Sequence, residues 1–179
     1  DIGIENRYDQ FDMRLKYPRP LVERTLQLEV DERIGPDGEV RRPLDEDEVR
    51  RVVARAVERG AESLAVCLLH SYAQPAHENR IRAIVESAFP GLPVSSSAEV
   101  LPFMREFERW TTTTINAYTQ RMADTSLRRL EDGLAGMRFA GRFYIMASNG
   151  GTVTPEPARR FPVRLLESGP AAAVLMSSH

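Results

Sequence analysis

We predict an α/β fold for this chain of 179 residues, because helical and strand-like patterns alternate along its middle. Residues 45–59 and 75–89 have the apolar spacing of amphipathic helices, whereas residues 62–69 and 92–95 have the apolar content of short strands. The run at residues 62–69 is almost continuously apolar, which is typical of a parallel strand covered on both faces. This order of helix and strand predicts crossover units on a parallel sheet.

The first forty residues predict an irregular segment followed by a β-hairpin. Residues 1–20 are polar and aromatic and contain two prolines, so we expect no packed element there. Apolar and polar side chains alternate over residues 21–31, and a turn at residues 35–38 leads the chain into residues 39–41. The pattern predicts a half-buried hairpin near the N-terminus.

Clear signals bound the two helices in the middle of the chain. Asp45, with Glu48 three residues later, resembles a capping box, and Gly60 ends the apolar helical face. Pro75 opens the second helix, which stops before a Pro-Gly pair at residues 90–91. We therefore predict one helix before and one helix after the first buried strand.

Two further helices are predicted in the second half of the chain. Apolar residues recur at helical spacing over residues 105–118, although four consecutive threonines lower the helix propensity there. A second helical pattern runs from Met122 to Leu134 and ends near Gly133 or Gly136. We expect a break between these two helices.

Composition and charge favour a soluble globular protein, since 42% of the residues are hydrophobic, 28% are charged and the formal net charge is −2. Interleaved Arg and Glu give no electrostatic surface for nucleic acid, and no apolar run has the length of a membrane span. The single Cys67 lies in an apolar run, which favours an inert buried thiol over a nucleophile. A cytoplasmic setting is expected.

Residues 142–176 carry the main functional signal, because two strand-like segments there each lead into a glycine turn. Residues 143–147 lead into a Ser-Asn-Gly-Gly turn, and residues 163–166 lead into a Ser-Gly turn with Pro170 at the first helical position. Such joints direct backbone N–H groups and a helix N-terminus toward phosphate. A glycine pair after a strand is equally an ordinary hairpin or bulge, so both interpretations stay open.

A first candidate cluster follows the buried strand. His70 lies where parallel sheets gather ligands, and His77 with Glu78 begins the next helix. Capping, substrate contact and proton transfer are the alternatives for these side chains. The absence of a partner at ligand spacing argues against a metal site.

A second candidate cluster lies at residues 105–109, where charges of opposite sign are interleaved. This pattern is typical of a solvated helix face with ion pairs between successive turns. The alternative is a binding face, because Arg109 with Thr112 and Asn116 presents donors suited to anionic or amide oxygens.

Several segments, taken in order, resemble the hydantoinase/oxoprolinase A family, and the likeness covers nearly the whole chain. The order of these segments is more specific than any one of them alone. The segments are EVDERI at residues 29–34, LAVCLLHSY at 64–72, PAHE at 75–78, REFERWTTT at 105–113, SNGG at 148–151 and SGPAA at 168–172.

The resemblance implies part of the first lobe of an actin-like fold, as in sugar kinases and seventy-kilodalton chaperones, whose two lobes close over nucleotide. It assigns residues 1–103 to the later part of the N-terminal region and residues 104–179 to the start of the A region. Two Asp-x-Gly-Gly-Thr phosphate loops typical of the family are absent, so an internal fragment is expected. Arg121 stands where the family pattern leads us to expect a proline.

The resemblance also implies roles for individual residues around the interlobe cleft, without assigning a catalytic residue or a metal ligand. The expected positions are Asn149, Gly150 and Gly151 lining the cleft, Ser168 and Gly169 at its floor, and Glu106, Arg109 and His70 at its wall.

By the same resemblance, the parent protein is expected to be an ATP- and magnesium-dependent hydrolase of cyclic amides such as 5-oxoproline or hydantoins. It would phosphorylate the amide carbonyl oxygen and act with a hydantoinase B-type subunit or fused domain, in an oligomer. The alternatives are an ATP-dependent ketone carboxylase subunit and a non-catalytic actin-like binding protein. The fragment alone is expected to be inactive.

Overall fold

The computed structural model describes residue 14 and residues 19–177, so most of the irregular segment predicted at residues 1–20 lies outside the described part. Short 3₁₀ helices cover Arg24–Leu26 and Pro162–Leu165. The α-helices are α1 (Glu46–Glu58), α2 (Ala76–Ala88), α3 (Ser97–Val100), α4 (Glu106–Gly136), α5 (Pro155–Arg160) and α6 (Ser168–Ser177). The strands are β1 (Arg33–Ile34), β2 (Val40–Arg42), β3 (Leu64–Val66), β4 (Val94–Ser96), β5 (Ile145–Met146) and β6 (Thr152–Val153).

Strands β3 and β4 form a parallel pair, with α2 as the crossover between them, which confirms the predicted α/β class. Alternate residues of a strand point to opposite faces. Val94 accordingly packs with the core of α1 and α2, whereas its neighbour Ser95 contacts α4 through Asn116. Helices therefore cover both faces of this pair, and in the described residues the sheet has only these two strands.

The hydrophobic core lies between α1, α2 and β3. Asp45 caps α1 as predicted, because its Oδ1 accepts from the backbone N–H groups of Asp47 at 2.9 Å and Glu48 at 3.2 Å. The reciprocal half of the capping box is wrong, since the Glu48 carboxylate accepts instead from the N–H of Asp31. Gly60 ends the helix with a φ of +87°. The buried core consists of Val49, Val53, Val66, Ile81, Ile84 and Val85.

The predicted β-hairpin is present, but its first strand is shorter than the alternating pattern indicates. β1 and β2 pair antiparallel around the turn at residues 35–38. Residues 27–32 form no strand, because β2 pairs only with Arg33 and Ile34. Val30 instead packs against the core.

α4 is one continuous helix of 31 residues, so the predicted break between residues 118 and 122 is wrong. Three threonine hydroxyls donate to backbone carbonyls one turn earlier, from Thr113 to Arg109, Thr119 to Ile115 and Thr125 to Arg121, at 2.7–2.9 Å. These bonds give the threonine hydroxyls acceptors inside the helix, although threonine is β-branched and has a low helix propensity. None of the helices in the described part of the chain has the length and apolarity of a membrane span.

The segment before α6 is a 3₁₀ helix and not the strand predicted at residues 163–166. Pro162 has no backbone N–H and opens this turn. The N–H of Val163 donates to the side chain of Asn116, and that of Arg164 to the carbonyl of Phe161, so neither joins a ladder. α6 then begins at Ser168, two residues earlier than its proline predicts.

Candidate functional site

The glycine turn (residues 148–151) joins β5 to β6 and lies against α6. Gly150 has a φ of +83°, which favours glycine, and a Cβ there would come within 3.2 Å of Leu175 in α6. Ser148 contacts the residue directly before α6, since its Oγ accepts from the N–H of Glu167 at 3.0 Å. The structure therefore brings the predicted turn residues beside the helix that begins with Ser168 and Gly169.

Hydrogen bonds inside the glycine turn determine which of its donors a ligand can use. The N–H of Gly150 donates to the carbonyl of Ala147 at 3.0 Å, and that of Gly151 to Oδ1 of Asn149 at 3.0 Å. These two groups support the turn and are not free to bind phosphate. The Asn149 side chain is exposed, and the first N–H groups of α6 have no acceptor within the helix. The residues thus suit the lining of a nucleotide site, not a complete phosphate cradle.

Arg109 lies in the second predicted group and is fully buried at the start of α4. Its Nη1 donates to the carbonyl of Phe103 at 2.7 Å and its Nη2 to the carbonyl of Leu68 at 2.9 Å. The guanidinium carbon lies 5.3 Å from the ring centroid of Tyr72. Arg109 therefore connects the loop after β3 to α4, and the half-buried Glu106 begins the same helix one turn earlier.

His70 occupies a strained position in the loop after β3. Its φ is +56°, an uncommon value for a residue with a side chain. Its Nδ1 lies 2.8 Å from the carbonyl oxygen of Ile34, which can only accept, so Nδ1 carries the proton. Its ring meets that of Tyr72 edge-on at 6.1 Å. His70 thus attaches the β-hairpin to the loop that holds Arg109.

Glu78 belongs to the first candidate cluster, for which capping, substrate contact and proton transfer were the alternatives, and it is fully buried near the start of α2. Its carboxylate accepts four hydrogen bonds at 2.7–2.8 Å, two from backbone N–H groups and two from serine hydroxyls. The donors belong to the loop after β3 and to the segment from β4 into α3. The sequence signal was the serine run at residues 95–97, which lies where β4 ends and α3 begins. The donors are Leu68, Ser96, Ser97 and Ala98.

A groove of about 810 Å³ lies between the C-terminal end of α1, the loop before β4, α4 and α5. None of the residues predicted for the site lines it. Its charges are paired across the walls, as between Arg121 and Glu62 at 2.8 Å and between Arg159 and Asp124 at 3.6 Å. Within residues 19–177 and at residue 14, no cluster of three His, Cys, Asp or Glu side chains is placed to bind a metal ion.

Cys67 follows β3, and its surroundings predict an unreactive thiol. Burial raises the pKa of the Cys67 thiol far above its ordinary value, and the negative charge of Glu78 raises it further. We expect iodoacetamide at pH 8 to alkylate the folded chain at least about 100-fold more slowly than the urea-unfolded chain, because the thiolate is the nucleophile. Mass spectrometry of timed samples measures both rates, and equal rates would contradict the assignment of an inert thiol.

Comparisons with known proteins identify the family. The model of the hydantoinase/oxoprolinase N-terminal region matches residues 1–89, and the hydantoinase/oxoprolinase model matches residues 109–179. The chain therefore belongs to the hydantoinase/oxoprolinase family, as its ordered motifs predict.

Named relatives and solved structures agree with this assignment. The chain is 35% identical to the acetophenone carboxylase gamma subunit of Aromatoleum aromaticum, over 90% of this chain and 22% of that protein. The crystal structure of ATP-dependent caprolactamase from Pseudomonas jessenii matches with a TM-score of 0.84 at 30% identity, over 93% of this chain and 24% of that chain.

A nucleotide-free structure of acetone carboxylase, from a study of ATP-dependent acetone carboxylation, matches with a TM-score of 0.78 at 32% identity. That match covers 89% of this chain and 23% of the other. The chain thus spans about a quarter of the length of each of these three proteins.

Proposed function

We propose that this chain is part of an ATP-dependent enzyme that hydrolyses a cyclic amide. The observation that carries the proposal is the match to ATP-dependent caprolactamase, with a TM-score of 0.84 against 0.78 for acetone carboxylase. Ketone carboxylation is the second candidate, favoured by the 35% identity to the acetophenone carboxylase gamma subunit. A non-catalytic actin-like binding protein is the remaining alternative, and it would show no turnover.

In this proposal the glycine turn and the start of α6 line the nucleotide site. Bound ATP would supply a phosphoryl group to the amide carbonyl oxygen, which would activate the carbonyl carbon toward attack by water. The exposed Asn149 side chain offers an amide donor, and the N–H groups of Ser168 and Gly169 offer the positive end of a helix. None of the described residues is assigned to magnesium, since they form no ligand set. The cation would be held elsewhere in the parent protein.

The wall that we assign to His70, Glu106 and Arg109 would act by shape and not by direct charge. Arg109 is fully buried and holds the carbonyl groups of Leu68 and Phe103. His70 holds the β-hairpin through Ile34. Together these bonds would fix the loop after β3, and with it the side of the cleft.

Larger-scale features of the parent protein follow from the same proposal. Residues 1–103 and 104–179 would share the first lobe of an actin-like ATPase. A partner subunit or fused domain of the hydantoinase B type is supported by the subunit name of the acetophenone carboxylase relative. We further propose that the parent protein is an oligomer. We also propose a cytoplasmic location, because a chain with a single cysteine has no internal disulfide and suits a reducing compartment.

The test is ATP turnover by the full-length protein with its partner subunit. One series adds 5-oxoproline, hydantoin or caprolactam, and the other adds acetone or acetophenone with bicarbonate. We expect phosphate release to be stimulated by one of the cyclic amides, with the ring-opened product detected by mass spectrometry. Stimulation only by a ketone would select carboxylation, and no stimulation by any compound would favour the non-catalytic alternative.

The isolated chain of residues 1–179 is expected to show no magnesium-dependent ATP hydrolysis. The described residues lack metal ligands, and the N–H groups of Gly150 and Gly151 are used inside the turn. Phosphate release is measured beside the full-length protein as the positive control. Turnover that copurifies with the chain and needs magnesium would overturn this prediction.

A further inference from the structure

We propose that Ser148 is a positioning residue that fixes the glycine turn relative to the N-terminus of α6, and thereby sets the affinity for nucleotide. The inference rests on the proposed function, because it concerns the same lining residues. It adds a residue that would touch no ligand and would act through Asn149, Ser168 and Gly169.

Ser148 contacts the connecting segment (residues 160–167) with both its backbone and its side chain. Its N–H donates to the carbonyl of Arg164 at 2.7 Å, and its Oγ accepts from the N–H of Glu167 at 3.0 Å. Glu167 directly precedes α6, and Asn149 directly follows Ser148. One side chain therefore links the last residue before the helix to the first exposed residue of the turn.

The other end of the connecting segment is held by Asn116, which is fully buried in α4. Its Nδ2 donates to the carbonyl of Arg160 and to Oγ of Ser95 in β4, both at 3.0 Å. Its Oδ1 accepts from the N–H of Val163 at 3.2 Å. The connecting segment is therefore anchored to β4 and α4, and Ser148 attaches the glycine turn to an already fixed support.

The hairpin that carries the glycine turn has only a short ladder of its own. β5 and β6 pair over only two residues each, which is too short for independent stability. A displacement of about 1 Å in a positioning group is enough to cost an enzyme up to about 100-fold. Loss of the hydrogen bond between Ser148 Oγ and the N–H of Glu167 would therefore move the turn without disturbing the buried core.

The first measurement is the affinity of the full-length protein for a non-hydrolysable ATP analogue, by calorimetry. We expect Ser148→Ala to raise the Kd about tenfold, which is the loss of one hydrogen bond to an otherwise unpaired N–H. Ser148→Thr keeps the hydroxyl, so its Kd should stay within about threefold of the wild-type value, a difference of at most about 0.65 kcal/mol. Ser126→Ala, on the exposed face of α4, is the matched control and should change nothing.

The steady-state readout separates positioning from general destabilisation. Ser148→Ala should raise the KM for ATP while kcat at saturating ATP stays within about twofold, because binding is affected more than chemistry. Amide hydrogen exchange without nucleotide tests the attachment itself. Exchange at Gly150, Gly151 and Glu167 should become faster in Ser148→Ala and not in Ser126→Ala.

The outcomes distinguish this inference from the proposed function. If wild type binds the analogue and Ser148→Ala binds equally well, the positioning role is overturned and the proposed function stands. If wild type binds no nucleotide, the proposed function is overturned. In that case unchanged exchange at the turn would overturn the attachment by Ser148 as well, whereas faster exchange would support it.

Discussion

Replacing Glu78 with alanine is expected to lower the free energy of unfolding by about 4 kcal/mol, because it leaves buried donors without an acceptor. Glu78 exposes none of its surface and accepts four hydrogen bonds. The N–H groups of Leu68 and Ala98 both donate to this carboxylate, and each costs about 1–3 kcal/mol if left unpaired. The Ser97 hydroxyl has a second partner, because Ser71 Oγ lies 3.0 Å from it.

Glu78→Gln is the sharper variant, because it keeps the size of the side chain. Each carboxylate oxygen of Glu78 accepts from one backbone N–H, so an amide must direct its NH₂ at one of those donors. We expect a loss of about 2–3 kcal/mol, measured as the shift of the urea midpoint by circular dichroism.

Glu86→Gln is the matched control for this series. Glu86 lies on the exposed face of the same helix α2, and surface substitutions of this kind change stability by at most about 0.5 kcal/mol. A Glu78→Gln midpoint equal to that of Glu86→Gln would contradict a structural role for the buried carboxylate. Since small domains have only about 5–15 kcal/mol of stability, the alanine variant should lose a large fraction of that stability.

Local sequence signals were sufficient to predict the helices α1 and α2 and the strands β3 and β4. The cap at Asp45 and the stop at Gly60 depend on neighbouring backbone, which the sequence displays directly. The parallel pairing of β3 with β4 followed from the order of elements, because a crossover helix leaves few other topologies.

Short apolar runs were not sufficient to predict strands, because distant hydrogen-bond partners determine the conformation of such runs. Residues 163–166 have strand-like composition, yet Asn116, 47 residues before Val163, accepts its N–H and holds the segment as a 3₁₀ turn. The length of α4 was missed because the sequence shows two helical patterns and no signal that they are continuous across residues 118–122. Inside the helix the Thr119 hydroxyl donates to the carbonyl of Ile115, a bond that the sequence does not display.

The same difference between local signals and distant contacts applies to the candidate site. The glycine turn and the small residues at the start of α6 could be found as local features, whereas only the family resemblance implied that they share one cleft. The burial of Glu78 could not be predicted, because an acidic residue in the first turn of a helix is normally a solvated partner of the helix dipole. Only the pairing of β3 with β4 brings its four donors together.

Arg109 provides the second large effect, and its substitution separates a structural role from a binding role. We expect Arg109→Ala to lower the free energy of unfolding by about 3 kcal/mol, since the carbonyls of Leu68 and Phe103 lose charge-assisted donors and the Tyr72 ring loses its cation. Arg109→Lys should lose about 2 kcal/mol, because one ammonium cannot reproduce the fork that reaches both Leu68 and Phe103. Urea midpoints measure both changes.

The control for Arg109 is Arg129→Ala on the exposed part of α4, which should shift the midpoint by no more than about 0.5 kcal/mol. If Arg109 instead bound ligand directly, Arg109→Lys would leave stability near wild type and weaken nucleotide or substrate binding by itself. The geometry argues against that result, because a guanidinium with no exposed surface can reach a ligand only by releasing the carbonyls of Leu68 and Phe103. Arg109 therefore holds the loop after β3 against α4, and this is how it would shape the proposed wall of the site.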